Sequence, residues 1–294
     1  MFEEDLGGKS AFIRLAVESM LHEEQSDFQA IKVFQNKLFG TVLALDGVIQ
    51  CTTLDEHIYH EMITHVPLSH VCASKGAEGG QLEVAIIGGG DGGALREVLK
   101  YDQVRHVTLV DIDRKVIEVC KKYLPGVSDG ALDDPRATVL CQDGAEWLKR
   151  RKEDIDVLII DSSDDDETGN NSTLFNDDFY ESVAHALTKN GVVVKQSGCA
   201  LLQQGVTLST LARLKKHFSH FGIFRQNVPT YVGGDMQITW ASHTKPAALC
   251  PTDDHYFTRV DAPAISTKHY NPEVHNAAFA LPTDLASKVT ELGK

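Results

Sequence analysis

Carboxylates that follow apolar runs are the residues of this chain best placed to do chemistry. Asp91 lies in a glycine-rich loop, Asp111 ends the next apolar run twenty residues further on, and Asp143 follows the third run. At a strand's end, Asp111 can accept hydrogen bonds from both hydroxyls of a ribose. Asp143 and Gly144 fall where an adenine would lie, and Asp143 can accept a hydrogen bond from its exocyclic amine. Together these positions predict a nucleoside-binding crevice rather than three separate helix caps.

The loop that contains Asp91 indicates which nucleoside derivative fits. The stretch "VAIIGGGDGGALREV" places five glycines between an apolar run and a helical pattern, where the backbone can approach a ligand closely. The charge of Asp91 would repel the pyrophosphate of NAD, and it disfavours the carboxylate on the amino-acid arm of S-adenosylmethionine. An arm that bears only an ammonium suits this loop. The sequence therefore favours a nucleoside donor that has lost its carboxylate.

A run of acids, "IIDSSDDDETGNNSTLF", follows the fourth apolar run. Asp161, at the end of this apolar run, falls in the crevice where open α/β sheets bind ligands. Asp165, Asp166 and Glu167 are predicted to form a solvated lid. The spacing does not follow the alternating pattern of a calcium-binding loop.

The apolar pattern predicts the elements that position these acids. Short apolar runs alternate with helical stretches after residue 80, which is typical of a parallel α/β sheet with crossover helices. Residues 28–52 alternate apolar and polar side chains and predict a small antiparallel β unit. A helix closes this unit, with Pro67 near its end. We predict an N-terminal β domain over residues 1–66 and a catalytic domain over residues 67–294.

Composition excludes several classes of function. The formal net charge of -14 argues against a nucleic-acid partner and is compatible with a cationic ligand. No run of about 18 apolar residues is present to span a membrane, and the N-terminus is acidic where a signal peptide would be basic. A cytoplasmic location is therefore expected. The six cysteines lack the spacing of a zinc site and are expected to be reduced thiols.

Five stretches resemble the polyamine aminopropyltransferases, in order and from about residue 22 to residue 282. They are "LALDGVIQCTTLDEHIYHEMITHVPL", "AIIGGGDGGALREV", "IIDSSD", "VPTYVGG" and "YNPEVHNAAFALP". The resemblance implies a small N-terminal β domain, a methyltransferase-like Rossmann domain and a homodimer or homotetramer. The implied reaction moves an aminopropyl group from decarboxylated S-adenosylmethionine to putrescine, giving spermidine and methylthioadenosine. No metal or redox cofactor is implied.

The resemblance also implies roles for residues of the donor half of the site. Gln29 matches a glutamine that contacts the nucleoside, and Asp111 matches the ribose acid, which is more often glutamate in the family. Asp143 and Gly144 match the adenine contacts. Asp91 matches the aspartate that holds the aminopropyl ammonium, in agreement with the charge argument above.

The acceptor half is implied in the same way. Tyr59 and His60 in "IYHEM", together with Tyr231 in "PTYVGG", match residues around the amine substrate. Asp161 matches the proton-accepting aspartate, and Asp164 matches the carboxylate that helps to hold the amine. The chemistry supports these roles: a primary amine has a pKa of about 10, so it is protonated at neutral pH and needs a proton acceptor before it can attack. The distal ammonium of a diamine needs a second acidic or polar anchor.

The chain departs from the family after Asp164. The family continues there with a Pro-x-Gly-Pro segment, whereas this chain continues with "DDETGNNSTLF", which has neither proline. We expect a more mobile and more acidic loop, because the fixed φ of proline is missing. The acceptor therefore stays open among putrescine, cadaverine, agmatine and spermidine. A methyltransferase-like protein that uses intact S-adenosylmethionine and a non-catalytic polyamine-binding protein are the alternative functions.

Overall fold

The N-terminal part of the chain forms two small antiparallel sheets. The computed structural model describes residues 1–6, 9–75, 81–162, 176–246, 249 and 265–293. A two-stranded sheet comes first and a four-stranded sheet in sequential order follows. The strands are β1 (Phe2–Asp5), β2 (Phe12–Leu15), β3 (Ser19–Gln25), β4 (Ala30–Asn36), β5 (Gly40–Leu45) and β6 (Val48–Thr52). The turn between β5 and β6 places Asp46 and Gly47 at φ 49° and 81°, as a tight two-residue hairpin turn requires.

Helix α1 (Glu56–Lys75) runs further than the sequence indicated. Pro67 lies inside the helix and removes one backbone hydrogen bond, at a usual cost of about 3 kcal/mol. Val66, Leu68 and Val71 are almost fully buried beside it, and each stabilises the helix by about 1.5–3 kcal/mol. Burial therefore outweighs the lost bond. The predicted boundary between residues 66 and 67 falls inside this helix, and the division into two domains stays a prediction.

The rest of the chain builds a sheet that has seven strands within the described residues. Its order is β12-β13-β11-β10-β7-β8-β9, and only the pairs that involve β13 are antiparallel. The strands are β7 (Leu82–Gly88), β8 (Val104–Asp111), β9 (Ala137–Cys141), β10 (Ile155–Asp161), β11 (Leu187–Cys199), β12 (His220–Asn227) and β13 (Asp235–Ser242). The five apolar runs of the sequence are β7 to β11, so the predicted α/β fold is confirmed.

Helices lie between these strands and after them. They are α2 (Gly93–Val98), α3 (Arg114–Tyr123), α4 (Pro125–Ser128), α5 (Gly144–Leu148), α6 (Asp177–Ala186), α7 (Gln204–His217), α8 (Pro272–Ala278) and α9 (Thr283–Gly293). In the part of the chain that the structure describes, none of the helices is both long and apolar enough to cross a membrane.

Both faces of the central strands are buried. In β7, Val84 and Ile86 join one apolar cluster, which includes side chains of α1, and Ala85 and Ile87 join a second cluster with side chains of α5 and α6. This is why these strands read as continuous apolar runs rather than alternating ones. The four-stranded N-terminal sheet packs on α3 through a third cluster.

The register of the parallel strands brings the predicted acids to one edge. Asp161 at the end of β10 pairs with Gly88 at the end of β7, and Asp111 at the end of β8 pairs with Cys141 at the end of β9. Asp143 comes two residues after β9. In open α/β sheets this edge is where ligands bind.

Candidate active site

A cleft of about 760 Å³ lies between the N-terminal sheet and the carboxyl ends of the parallel strands. Side chains of β5, β6, α1, the glycine loop and the ends of β8 and β10 line it. Among the residues that the structure describes, no lysine or arginine lines the cleft. The carboxylates that line it are Asp46, Asp91, Asp111, Asp143 and Asp161. The negative charge of these carboxylates favours a cationic ligand and would repel a phosphate.

Asp111 is tied to the glycine loop. Its two carboxylate oxygens accept hydrogen bonds from the backbone N–H of Gly90, at 2.9 Å, and of Asp113, at 2.8 Å. A Cβ on Gly90 would lie 2.7 Å from Asp111 Oδ2, so this close approach requires glycine. Burial raises the pKa of Asp111 to about 6, even though the two N–H groups favour the charged form. The acid predicted to bind a ribose is thus fixed in the cleft wall.

Gln29 lies across the cleft from the parallel sheet and links its two walls. Its Nε2 donates to Asp113 Oδ2 at 3.0 Å, and Ser26 Oγ donates to the same oxygen at 2.6 Å. Asp113 in turn caps α3 by accepting from the N–H of Lys115. These contacts hold the N-terminal sheet against the start of α3, and the nucleoside contact implied for Gln29 stays a prediction.

Asp143 and Gly144 form the wall after β9. Asp143 Oδ1 accepts from the N–H of Ala145 at 2.7 Å and of Glu146 at 3.2 Å, so this acid caps α5 as well as lining the cleft. A Cβ on Gly144 would lie 2.5 Å from Ile87 Cγ2. The helix-cap interpretation and the predicted adenine contact are therefore compatible.

Asp91 occupies the start of α2. Its Oδ1 accepts from the N–H of Gly93 at 2.7 Å, and its Oδ2 lies 3.4 Å from His60 Nε2. Burial acts to raise the pKa of Asp91, but the charge of His60 and these hydrogen bonds outweigh it, so the net direction is downward. Asp91 is therefore a carboxylate at neutral pH, and it takes the N–H that would otherwise receive an anion.

His60 lies between two carboxylates. Its Nδ1 is 2.6 Å from Glu56 Oε2, and Glu56 also accepts hydrogen bonds from Arg96 at 3.0 and 2.9 Å. Burial acts to lower the pKa of His60, but Asp91 and Glu56 raise it well above its usual value. Glu56 is an acid in the first turn of α1 and was not among the predicted site residues. Its position one helical turn before His60 was the signal for this pair.

Gly93 makes room for His60, and replacing it tests this packing. A Cβ at residue 93 would lie 2.2 Å from two atoms of the imidazole. We expect Gly93→Ala to lower the free energy of unfolding by about 1–3 kcal/mol, the usual cost of overpacking, and to weaken donor binding. Urea unfolding and calorimetry measure the two effects. Gly205→Ala is the control, because a Cβ there meets nothing within 4 Å. Equal effects of the two substitutions would contradict the packing argument.

Asp161 lies on the floor of the cleft with two tyrosines. Tyr59, which is buried, donates its hydroxyl to Asp161 Oδ1 at 2.6 Å. The ring centroids of Tyr59 and Tyr231 are 5.5 Å apart, and the Tyr231 hydroxyl donates to the carbonyl of Gln50 at 2.5 Å. A Cβ on Gly89 would lie 3.1 Å from Asp161 Oδ2, so glycine keeps space beside the second oxygen. The structure therefore brings Tyr59, Tyr231 and Asp161 together on one side of the cleft.

The predicted role of Asp161 as proton acceptor implies a pH dependence of activity. Burial and then the charge of Asp91 raise the pKa of Asp161 to about 6, against the opposing effects of His60 and Tyr59. A proton acceptor must be ionised, so kcat/KM should fall as the pH drops through about 6. Asp111 has a pKa raised to about the same value. This acid limb should persist in Asp111→Asn and disappear in Asp161→Asn; an unchanged limb in Asp161→Asn would contradict the assignment.

Other lining residues were not predicted from the sequence. Phe28 and Ile112, the neighbours of Gln29 and Asp111 in sequence, are 53% and 45% exposed. Gln196, Gln203 and Met236 also line the cleft. Strand-end position marks acids in a sequence, but glutamine and apolar side chains carry no comparable signal. Asp164 and the loop after it lie outside the described residues, so the predictions made for them stay predictions.

The fold and the site together define a class of protein. An open α/β sheet with an acidic cleft at the carboxyl ends of its parallel strands, a carboxylate in the glycine loop and a carboxylate at the end of β10 fits an enzyme that acts on cationic substrates. Residues 56–250 match the model described as spermine/spermidine synthase domain, and residues 2–53 match the spermidine synthase tetramerisation domain.

Individual relatives agree with the family models. The polyamine aminopropyltransferase of Pseudomonas syringae pv. tomato is 41% identical over 92% of this chain and 91% of its own, and that of Ruegeria sp. is 43% identical over 91% of each. A crystal structure of spermidine synthase in complex with the transition state analogue AdoDATO superposes with a TM-score of 0.87 at 34% identity, covering 99% of this chain and 94% of the other. Spermidine synthase from Thermotoga maritima superposes with a TM-score of 0.85, also at 34% identity, over 98% and 93%.

This chain belongs to the spermine/spermidine synthase family and is an aminopropyltransferase enzyme. The family resemblance drawn from the sequence motifs is confirmed.

Proposed function

We propose that this enzyme transfers an aminopropyl group from decarboxylated S-adenosylmethionine to putrescine and releases spermidine and methylthioadenosine. The observation that carries the proposal is the cleft lined by carboxylates and, within the described residues, by no lysine or arginine. Both proposed substrates are cations: the donor carries a sulfonium and an ammonium, and putrescine carries two ammonium groups. The transfer needs neither metal nor redox cofactor, because a sulfonium is already activated to leave as a neutral thioether.

The donor side of the proposal follows the wall from β7 to β9. Asp111 accepts hydrogen bonds from the ribose hydroxyls, and Asp143 and Gly144 contact the adenine. Gln29 contacts the nucleoside from the side of the N-terminal sheet. Asp91 takes the ammonium of the aminopropyl arm. Because Asp91 already accepts from the first N–H of α2, a carboxylate on that arm would find no donor there and would be repelled. The solved spermidine synthase with AdoDATO supports a donor of this type.

The acceptor side of the proposal centres on Asp161. Its ionised carboxylate takes a proton from the attacking ammonium of putrescine, and the freed nitrogen attacks the carbon next to sulfur. The C–N bond forms as the C–S bond breaks, and the electron pair stays on sulfur. Burial and the charge of Asp161 raise the pKa of Tyr59 well above its usual value, so the phenol stays protonated and holds the carboxylate in place.

His60 and Tyr231 complete the acceptor side. The imidazole fixes Asp91, and it lies beside Tyr59 with the ring centroids 5.4 Å apart, so it joins the donor ammonium site to the acceptor site. The ring of Tyr231 packs edge-on against the ring of Tyr59. We propose Asp164 as an anchor for the amine on the sequence resemblance alone.

The choice of acceptor is tested with a panel of amines. Wild-type enzyme, decarboxylated S-adenosylmethionine and one of putrescine, cadaverine, agmatine or spermidine are incubated, and methylthioadenosine is measured. We expect the highest kcat/KM with putrescine. A higher value with one of the other three would assign that amine instead, and the altered loop after Asp164 is the sequence feature that favours such a change. No product with any amine would overturn the proposed function.

We also propose that the chain works as a homodimer or a homotetramer, because residues 2–53 match a domain model described as a tetramerisation domain. Light scattering after size-exclusion chromatography distinguishes the two states. A cytoplasmic location stays a prediction from the sequence.

A further inference from the structure

The acceptor half of the cleft is assembled from separate segments of the chain. Tyr59 comes from α1, the carbonyl of Gln50 from β6, and Tyr231 from the turn of residues 228–234 between β12 and β13. The phenol of Tyr231 contacts both other segments through its hydroxyl and its ring. The width of the acceptor half therefore depends on where this turn is held.

The turn that carries Tyr231 is a closed unit. Val228 N–H donates to the carbonyl of Gly234 at 2.8 Å, Gly234 N–H donates to that of Tyr231 at 2.9 Å, and Tyr231 N–H donates to that of Val228 at 3.1 Å. Gly233 and Gly234 have φ of 67° and 69°, which side chains other than glycine rarely adopt. These three hydrogen bonds close the turn on itself, so an attachment at a neighbouring residue of the turn also positions Tyr231.

Asp55 supplies an attachment at the residue before Tyr231. Its carboxylate accepts from Thr230 N–H at 3.0 Å and lies 2.9 and 2.8 Å from Thr230 Oγ1. It also accepts from Thr52 Oγ1, at the end of β6, at 2.6 Å. Asp55 is 4% exposed and directly precedes α1. One buried carboxylate thus joins β6, α1 and the Tyr231 turn.

We propose that Asp55 is a positioning residue for the acceptor amine: it holds the Tyr231 turn against β6 and α1 and so sets the spacing between Tyr231 and Tyr59. The inference rests on the proposed function, because it requires an amine beside these two tyrosines. The carboxylates proposed to bind the donor are Asp91 after β7, Asp111 at the end of β8 and Asp143 after β9. The hydrogen bonds described for these three carboxylates join them to other backbone N–H groups and not to Thr230. The effect of Asp55 should therefore fall on the acceptor.

Asp55→Asn is the first test. An amide has one accepting oxygen where the carboxylate has two, so its NH₂ group must face at least one of three donors. We expect the KM for putrescine to rise about tenfold or more, while the KM for the donor changes less than about twofold. The ratio of kcat/KM for putrescine to that for cadaverine should also fall. The position of Tyr231 relative to Tyr59 would be less fixed, so the site would discriminate less between amines of different length.

Thr230 gives a second test that does not depend on how Asp55→Asn folds. Thr230→Val removes the hydroxyl at nearly constant volume and should reproduce the rise in acceptor KM, whereas Thr230→Ser keeps the hydroxyl and should restore the wild-type value. The control is Glu61→Gln. Glu61 is a buried acid of α1, 1% exposed, and it accepts from the N–H groups of residues 268–270. We expect a comparable loss of stability there without a change in acceptor KM.

The outcomes separate the inference from the proposed function. If wild-type enzyme makes spermidine but the acceptor KM is unchanged in both Asp55→Asn and Thr230→Val, the inference is wrong and the proposed function stands. If Glu61→Gln raises the acceptor KM as much as Asp55→Asn does, the effect is general destabilisation and the inference is again wrong. If wild-type enzyme makes no product from any amine, the proposed function is wrong and the inference fails with it.

Discussion

Asp161→Asn is expected to lower kcat at least about 100-fold, the usual contribution of a general base. The amide has the shape of the carboxylate and can still accept the hydrogen bond from Tyr59, but it cannot take a proton from the attacking ammonium. Donor binding should change little, because the ribose and ammonium contacts proposed for the donor lie on β8 and the glycine loop. Initial rates at saturating donor and acceptor measure the effect.

The matched control is Asp156→Asn on the same strand. Asp156 is buried near the other end of β10, where its carboxylate accepts from the N–H of Glu83 at 3.1 Å and from Thr188 Oγ1 at 3.0 Å. Its replacement should cost stability but should leave kcat nearly unchanged at a temperature where the fold persists. A wild-type kcat in Asp161→Asn, or an equal loss of kcat in the two variants, would show that Asp161 is not the proton acceptor.

Asp91→Asn is expected to weaken binding of decarboxylated S-adenosylmethionine about 100-fold. That change corresponds to about 2.8 kcal/mol and lies within the cost of about 2–5 kcal/mol for removing one charge from a buried pair. The amide oxygen can still accept from Gly93 N–H, so the loop keeps its shape while the charge is lost. Intact S-adenosylmethionine should bind no worse, because its carboxylate is no longer repelled. The preference for the decarboxylated donor should therefore shrink.

Calorimetry with both nucleosides measures this preference directly. Asp111→Asn is the control. Both compounds contain the ribose, so the loss of the Asp111 carboxylate should weaken the binding of both equally. A preference unchanged in Asp91→Asn would mean that discrimination against the carboxylate comes from elsewhere in the cleft.

Strand-end position is what made much of the site predictable. Asp111, Asp143 and Asp161 each follow an apolar run, and parallel strands place such residues at one edge whatever the intervening helices do. The N-terminal β unit was predictable because apolar and polar residues alternate along parts of residues 28–52, with turn residues between the runs. In the structure this sheet is buried on both faces, with Val33 and Leu43 in one apolar cluster and Phe34 and Val42 in another. Both arguments use only local sequence and a general property of sheets.

Contacts between segments that are distant in sequence could not be predicted from local sequence patterns. Asp55 and Thr230 are 175 residues apart, and the sequence shows Asp55 only as an acid before a helix. Helical spacing places Glu56 and His60 on one face, but it does not show that this face meets Asp91. The extent of α1 past Pro67 was missed because burial, which a local pattern does not measure, outweighs the lost hydrogen bond.

The most direct test of the proposed reaction is the identity of its two products. Wild-type enzyme is incubated with carbon-13-labelled putrescine and decarboxylated S-adenosylmethionine, and the products are quantified by mass spectrometry. We predict labelled spermidine and methylthioadenosine in equal amounts, with no transfer when intact S-adenosylmethionine replaces the donor. Methylated putrescine from intact S-adenosylmethionine, or tight binding of labelled putrescine without any product, would contradict the account.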